Sequence, residues 1–213
     1  VRVLRAKLQD QAIFFNGKDG EFVVTLYEIN KKNAFVSIDQ FDASNRTPPC
    51  QVTLGQVMSK GDRMDYAIQK ATELGVHTIQ LLISERCEMR LKYERDQKKI
   101  EHWQSVAIAA CEQCGLNIVP QVLAPMPLND WLTSDLPTSR FVLAPHKDQA
   151  NVLLNSSADI ALLIGPEGGL SEDEIATANQ QQFQNWCIGE RVLRTETAPV
   201  VALSILNFHF SSK

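Results

Sequence analysis

Two stretches in the carboxyl-terminal part of the chain carry residues whose types and spacing suit ligand chemistry. The first is IGPEGGLSEDEI, residues 164–175. An apolar run ends at Gly165, a Pro-Glu-Gly-Gly loop follows, and Ser171 and Glu174 stand three apart as a capping box that opens a helix. Glycines let the backbone approach a ligand closely and adopt positive φ. In open parallel sheets, ligands bind outside the carboxyl ends of the strands. The same pattern also serves a plain strand-to-helix turn, and the residues alone leave both readings open. The loop is neither G-x-G-x-x-G nor a Walker A sequence, so no dinucleotide or triphosphate site follows from it.

The second stretch is IGERVLRTETAPVVALSIL, residues 188–206. A short strand is expected at Trp186-Cys187-Ile188, and Gly189 ends it. Arg191, Arg194 and Thr195-Glu196-Thr197 then precede an apolar helix with Pro199 in its first turn. This order puts polar groups where the ligand crevice of a sheet would open. The alternative is an ordinary helix cap with a surface salt bridge.

Other candidates are weaker. SERCEMRLKYERDQKK, residues 84–99, holds six basic and four acidic side chains. It suits a solvated loop and helix face, or contact with a phosphate backbone by Arg86, Arg90 and Lys92. Cys111-Glu112-Gln113-Cys114 has no second cysteine pair and no histidine at zinc-finger spacing, and it lies within a predicted helix. Core packing explains it best, and no metal is expected. His77, His102, His146 and His209 are scattered and form no HExxH or triad pattern, and no G-x-S-x-G elbow occurs.

The elements that must position these residues follow from periodicity. Residues 22–29 and 34–41 are rich in β-branched and aromatic side chains, and a hairpin loop at 30–33 joins them. DASNRTPPC marks a domain boundary near residue 50. Beyond it, strand and helix alternate, which predicts a mostly parallel α/β sheet. Strands are expected at 52–57, 78–83, 141–145 and 159–165, and helices at 63–74, about 94–114 and 172–182. Pro120, Pro125, Pro127 and Pro137 predict a connecting region over 120–138 with at most a short helix. The last helix, about 198–210, is apolar nearly all round and is expected to be buried.

The chain has 213 residues, 44% of them hydrophobic, enough for one large domain or two smaller ones. No apolar run approaches a membrane span. The opening VRVLRAKLQD has no signal-peptide pattern, and a first residue of Val1 suggests a numbering that begins inside a longer chain. Five cysteines, an odd number, point to a reducing, cytoplasmic protein. The net charge of −4 argues against a nonspecific polyanion binder. Residues 121–213 hold 5 basic and 10 acidic side chains, against 16 and 15 in residues 1–120, so any nucleic-acid footprint is local and belongs to the amino-terminal half.

Five segments carry a resemblance when taken in order. They are KGDRMDYAIQKATELGV (60–76), SERC (84–87), the stretch from Trp103 to CEQCG (103–115), LLIGPEGGLSEDEI (162–175) and IGERVLRTETAPVVAL (188–203). Together, over residues 51–213, they resemble the bacterial 16S ribosomal RNA uridine N3-methyltransferase family of the SPOUT superfamily. Residues 1–50 resemble the rest of that family's amino-terminal domain. One departure is Leu116, where the family usually shows arginine.

The resemblance implies an α/β fold: a SPOUT-type parallel sheet with a C-terminal trefoil knot, a feature almost absent from proteins in general. A truncated PUA-like β-barrel domain at 1–50 would precede the knotted methyltransferase domain at 51–213. It implies a cytoplasmic homodimer that uses S-adenosylmethionine to methylate N3 of a uridine in 16S ribosomal RNA, within the 30S subunit. By analogy the cofactor would touch Leu143, Ala144, Gly165, Pro166, Glu167, Gly168, Gly169, Ile188, Gly189, Val192, Leu193 and Arg194. Arg194 would stabilise charge on the base, and Glu196 or Glu167 would take its proton. Arg2 and Arg5, with Arg86, Arg90 and Lys92, would hold RNA phosphates. The alternatives are a noncatalytic RNA-binding or ribosome-assembly module, and a SPOUT enzyme acting on another RNA.

Overall fold

The computed structural model describes residues 5–88, 93–144 and 159–211. Arg2, Arg90 and Lys92 lie outside the described residues. The chain divides into two compact units, one of residues 1–47 with 115–119, the other of 48–114 with 120–213.

The first unit is an antiparallel sheet of β1 (Gln11–Phe14), β2 (Glu21–Ile29) and β3 (Ala34–Asp42), in that order. The expected hairpin closes with Asn30 N–H donating to the Asn33 carbonyl at 2.8 Å. The alternation of residue types did not reveal that 115–119 joins this unit. Asn117 is the anchor. Its side chain donates to the Ser44 carbonyl at 2.6 Å and accepts from Arg46 N–H at 3.1 Å. Arg46 in turn grips the buried Glu21 carboxylate with Nε at 2.9 Å and Nη2 at 2.7 Å. A two-pronged guanidinium contact is among the stronger polar interactions available.

The second unit is a six-stranded parallel sheet in the order β6-β5-β4-β8-β7-β9. Its elements run β4 (Val52–Val57), α1 (Asp62–Glu73), β5 (Thr78–Ile83), α2 (Tyr93–Cys114), β6 (Gln121–Pro127), α3 (Leu128–Leu132), β7 (Ser139–Leu143), β8 (Ile160–Ile164), α4 (Glu172–Gln180), β9 (Gln184–Trp186) and α5 (Ala198–Ser211). The central strand β8 is buried at every position, as a parallel strand covered on both faces should be.

Leu54, Ile79, Leu162 and Ile164 pack with Met64 and Ile68 of α1, Trp103 of α2 and Leu203 of α5 on one face. Val57, Leu82, Ala161 and Leu163 pack with Trp131 of α3 and Ala178 of α4 on the other. Cys111 belongs to the buried interior of α2, where burial pushes its thiol up to about 11, so it is an inert packing residue. Among the described residues no helix is long and apolar enough to cross a membrane.

Three expectations change. Residues 121–127 are a strand despite two prolines, because β6 is an edge strand with one side free of ladder bonds. Its pairing with β5 shifts register between Gln80 and Leu82, and Gln80 Nε2 there donates to the Ala124 carbonyl at 2.7 Å. The short strand before Gly189 lies at Gln184–Trp186, so residues 187–189 have already left the sheet. Helix α5 is buried along Ala198, Pro199, Ala202, Leu203, Leu206 and Phe210. Ile205 and Phe208 are exposed, Phe208 by 78%, because within this unit the sheet covers one side of the helix.

Gly55 in β4 makes room for Trp131, since a Cβ built there would lie 2.4 Å from the indole ring. Overpacking of a core costs about 1–3 kcal/mol. Gly55→Ala is expected to lower stability by about that amount in a denaturant titration. In the first unit, hydrogen bonds from Arg46 hold the Glu21 carboxyl below the ordinary glutamate value near 4.5, against the upward push of burial. A carboxyl whose value is depressed in the folded state adds stability above its unfolded value, and that stability is lost as pH falls through the folded value. Unfolding followed from pH 6 downward should therefore show an acid loss setting in below about pH 4.5. Arg46→Ala should lessen that loss.

Candidate active site

The residues around the carboxyl ends of β7, β8 and β9 enclose a cleft of about 700 Å³. β8 ends in a segment that cannot continue the ladder. β8 stops before Gly165-Pro166, and the Pro166 carbonyl accepts from Gly169 N–H at 2.9 Å in a tight turn. Gly169 holds φ +69, a left-handed backbone that favours glycine. Ser171 then caps α4. Its hydroxyl accepts from Glu174 N–H at 3.3 Å, and the Glu174 carboxylate accepts from Ser171 N–H at 2.9 Å. The other oxygen of that carboxylate accepts from Glu85 N–H at 2.7 Å, which ties the loop after β5 to the start of α4.

Side chains from distant elements hold the glycine-rich loop. Arg63 of α1 donates to the Glu167 carboxylate at 2.8 Å, and Arg86 donates to the Gly168 carbonyl at 3.0 Å. Thr195 donates its hydroxyl proton to the Gly165 carbonyl at 2.7 Å. Ahead of α5, Arg194 is 79% exposed, and its Nη1 stands 3.9 Å from Glu196 Oε1, an ion pair too long for a hydrogen bond. The Glu196 side chain is only 14% exposed, and its buried Oε2 has no hydrogen-bond partner among the described residues.

Every residue that the resemblance assigns to the cofactor lines this one cleft, from Leu143 and Ala144 through Gly165–Gly169 to Ile188, Gly189 and Val192–Arg194. Glu167, Arg194 and Glu196 line it as well. Of the expected RNA contacts, Arg86 stands at the cleft, while Arg5 is exposed in the first unit. Arg63 was not expected. It lies beside, not on, the apolar stripe of α1, where a charged residue reads as solvent-facing. Its neighbours Glu167 and Glu196 hold its guanidinium firmly protonated. Thr195 is one of the polar groups expected at the crevice, and it lines the cleft although the resemblance assigns it no role.

A parallel α/β sheet with a largely preformed cleft outside the carboxyl ends of its strands is the architecture of a ligand-using α/β enzyme. Comparison with known proteins narrows this class. Residues 46–207 match the RNA methyltransferase domain. The ribosomal RNA small subunit methyltransferase E of Buchnera aphidicola from Schizaphis graminum is 36% identical over 98% of this chain and 86% of its own. The Bacillus subtilis protein of the same name is 29% identical, covering 98% and 85%. Among solved structures, the Neisseria gonorrhoeae enzyme of that name, bound to S-adenosyl methionine, has a TM-score of 0.91 at 34% identity, covering 98% of this chain and 87% of its own. A Legionella pneumophila structure described as a methyltransferase with bound cofactor SAM also has a TM-score of 0.91, at 38% identity, covering 97% and 86%. The chain belongs to the RNA methyltransferase domain family.

Among the described residues a side chain added at Gly169 meets no neighbour, so its cost is that of the backbone. Gly169→Ala should lose about 1 kcal/mol in chemical denaturation, and Gly169→Asn distinctly less, because asparagine tolerates the left-handed region.

Proposed function

We propose that this protein transfers a methyl group from S-adenosylmethionine to N3 of a uridine in 16S ribosomal RNA. The observation that carries the reading is the convergence of the glycine-rich turn, the 187–194 segment and the buried, unpartnered Glu196 Oε2 on one cleft. The cleft fits the cofactor. Its volume is that of a small-molecule site, and its lining includes Gly165, Gly168, Gly169 and Gly189, whose backbone a nucleoside or an amino-acid end can approach closely. The small-subunit substrate rests on the names of the relatives.

When bound, S-adenosylmethionine supplies an electrophilic methyl group. The protein's share is to place the base and take its proton, since uridine N3 is protonated at neutral pH. Glu196 Oε2 is the proton acceptor. Glu167 is spent on Arg63, and its task is to hold the loop. The exposed Arg194 guanidinium stabilises the negative charge that develops on the base oxygens. The base reaches the cleft unstacked, and Arg2, Arg5, Arg86, Arg90 and Lys92 serve the phosphates.

The same reading extends to assembly. Residues 1–50 form a PUA-like RNA-binding domain and 51–213 a SPOUT domain whose segment after β9 completes a trefoil knot. The enzyme is a cytoplasmic homodimer that uses no metal. Val192, Ile205 and Phe208 support the dimer as an exposed apolar set on and just before α5.

The test incubates the protein with 30S subunits lacking the modification and methyl-labelled S-adenosylmethionine, then identifies the labelled nucleoside. Label is expected in N3-methyluridine. Label in another nucleoside would overturn the substrate, and cofactor binding without transfer would favour a noncatalytic ribosome-assembly role. Glu196→Gln should lower kcat by about 100-fold or more with cofactor affinity nearly kept. Arg194→Ala should lower transfer as well, and a variant with unchanged transfer and unchanged cofactor affinity would remove Arg194 from the mechanism.

A further inference from the structure

Gln56 is a fully buried glutamine in the central strand β4, in register with Ile164 at the end of β8. Its Nε2 donates to the Val57 carbonyl at 3.1 Å and to Thr195 Oγ1 at 3.1 Å. Thr195, itself buried, donates to the Gly165 carbonyl at 2.7 Å. Gln56 Oε1 is buried with no hydrogen-bond partner among the described residues.

The direction of this chain is forced. A carbonyl can only accept, so the single proton of Thr195 goes to Gly165 and its oxygen must accept from Gln56. Turning the amide over would set Gln56 Oε1 against the Val57 carbonyl. The Val57 carbonyl therefore orients the amide, the amide orients the hydroxyl, and the hydroxyl fixes the Gly165 carbonyl. That carbonyl is the only hydrogen-bonding group of its peptide, because Pro166 has no N–H. Its plane sets the path of the backbone into the turn at 166–169.

A buried amide that leaves its own oxygen unpaired is a poor choice for stability. An apolar residue of similar size would serve the core better. We propose that Gln56 is a positioning residue that aligns the two walls of the cofactor cleft, acting through Thr195 on Gly165. This rests on the reading of the cleft as the S-adenosylmethionine site.

The experiment compares wild type with Gln56→Met, Thr195→Val, Thr195→Ser and the Gln56→Met/Thr195→Val double variant. It measures S-adenosylmethionine affinity by calorimetry, Tm without ligand, and amide exchange of residues 167–169. Gln56→Met is expected to weaken cofactor binding roughly threefold to tenfold with Tm unchanged or raised. Thr195→Val should match that loss and Thr195→Ser restore it. The double variant should bind no worse than either single, because both break one chain of bonds. Unchanged affinity in Gln56→Met, losses that multiply in the double variant, or losses that follow Tm would overturn the proposal. If wild type itself fails to bind, the cofactor reading falls, and exchange still decides the tether. Faster exchange at 167–169 in Gln56→Met and Thr195→Val upholds it, and unchanged exchange overturns it.

Discussion

A strand buried at every position must end without stranding its backbone, and β8 meets that constraint at Gly165-Pro166. Buried N–H and carbonyl groups are almost always paired. Past Ile164 the ladder gives out, and the Gly165–Pro166 peptide offers one carbonyl and no N–H. The partner comes from Thr195, thirty positions further along the chain. The turn that follows is held by Arg63 at Glu167, by Arg86 at Gly168 and by the Ser171–Glu174 capping box at its far end. The loop is glycine-rich, yet its conformation is set by side chains reaching in from α1, from the loop after β5 and from the segment before α5.

The charges at the cleft follow from the same arrangement. Arg63 and Arg86 are engaged in holding the loop, and Glu167 is neutralised where it stands. Of the other charged residues lining the cleft, Glu172 and Arg191 are exposed, Arg194 is exposed at the mouth, and Glu196 is largely buried with one free oxygen. A buried carboxylate without full pairing is expensive. Its ion-pair partner Arg194 stands 3.9 Å away, too long to be a hydrogen bond. The residue with an open acceptor and the residue with an open donor set stand two positions apart at the start of α5. A base entering the cleft would meet both.

Much of this architecture is legible in sequence, because apolar alternation reports burial directly. The strands at 52–57, 78–83 and around 160–164, and the capping box at Ser171, can be read from local pattern alone. The edge strand β6 cannot, because proline counts against a strand unless its edge position is already known. The exposure of α5 is hidden for a related reason: an apolar helix reads the same whether its second face is buried or exposed. Arg63 and Gln56 are lost differently. Their partners lie 104 and 139 positions away, and no periodicity carries that information. A resemblance over whole segments gathers the cleft residues, since it compares positions and not patterns.

The buried side-chain atoms that lack partners among the described residues belong to Gln56, Ser59, Thr72, Ser84 and Glu196. Thr72 lies within α1. The other four stand at or just beyond the carboxyl ends of β4 and β5, or just ahead of α5 beside the cleft. A sequence selected only for a stable core would place apolar residues there, because each unpaired buried polar group costs about 1–3 kcal/mol. Local rules of folding are expected to fail where function demands it. Here most of the failures gather at the edge of the sheet where a parallel α/β fold binds its ligands. The polar debt of the core therefore points to the same edge as the glycine-rich turn, by a physical route independent of any resemblance.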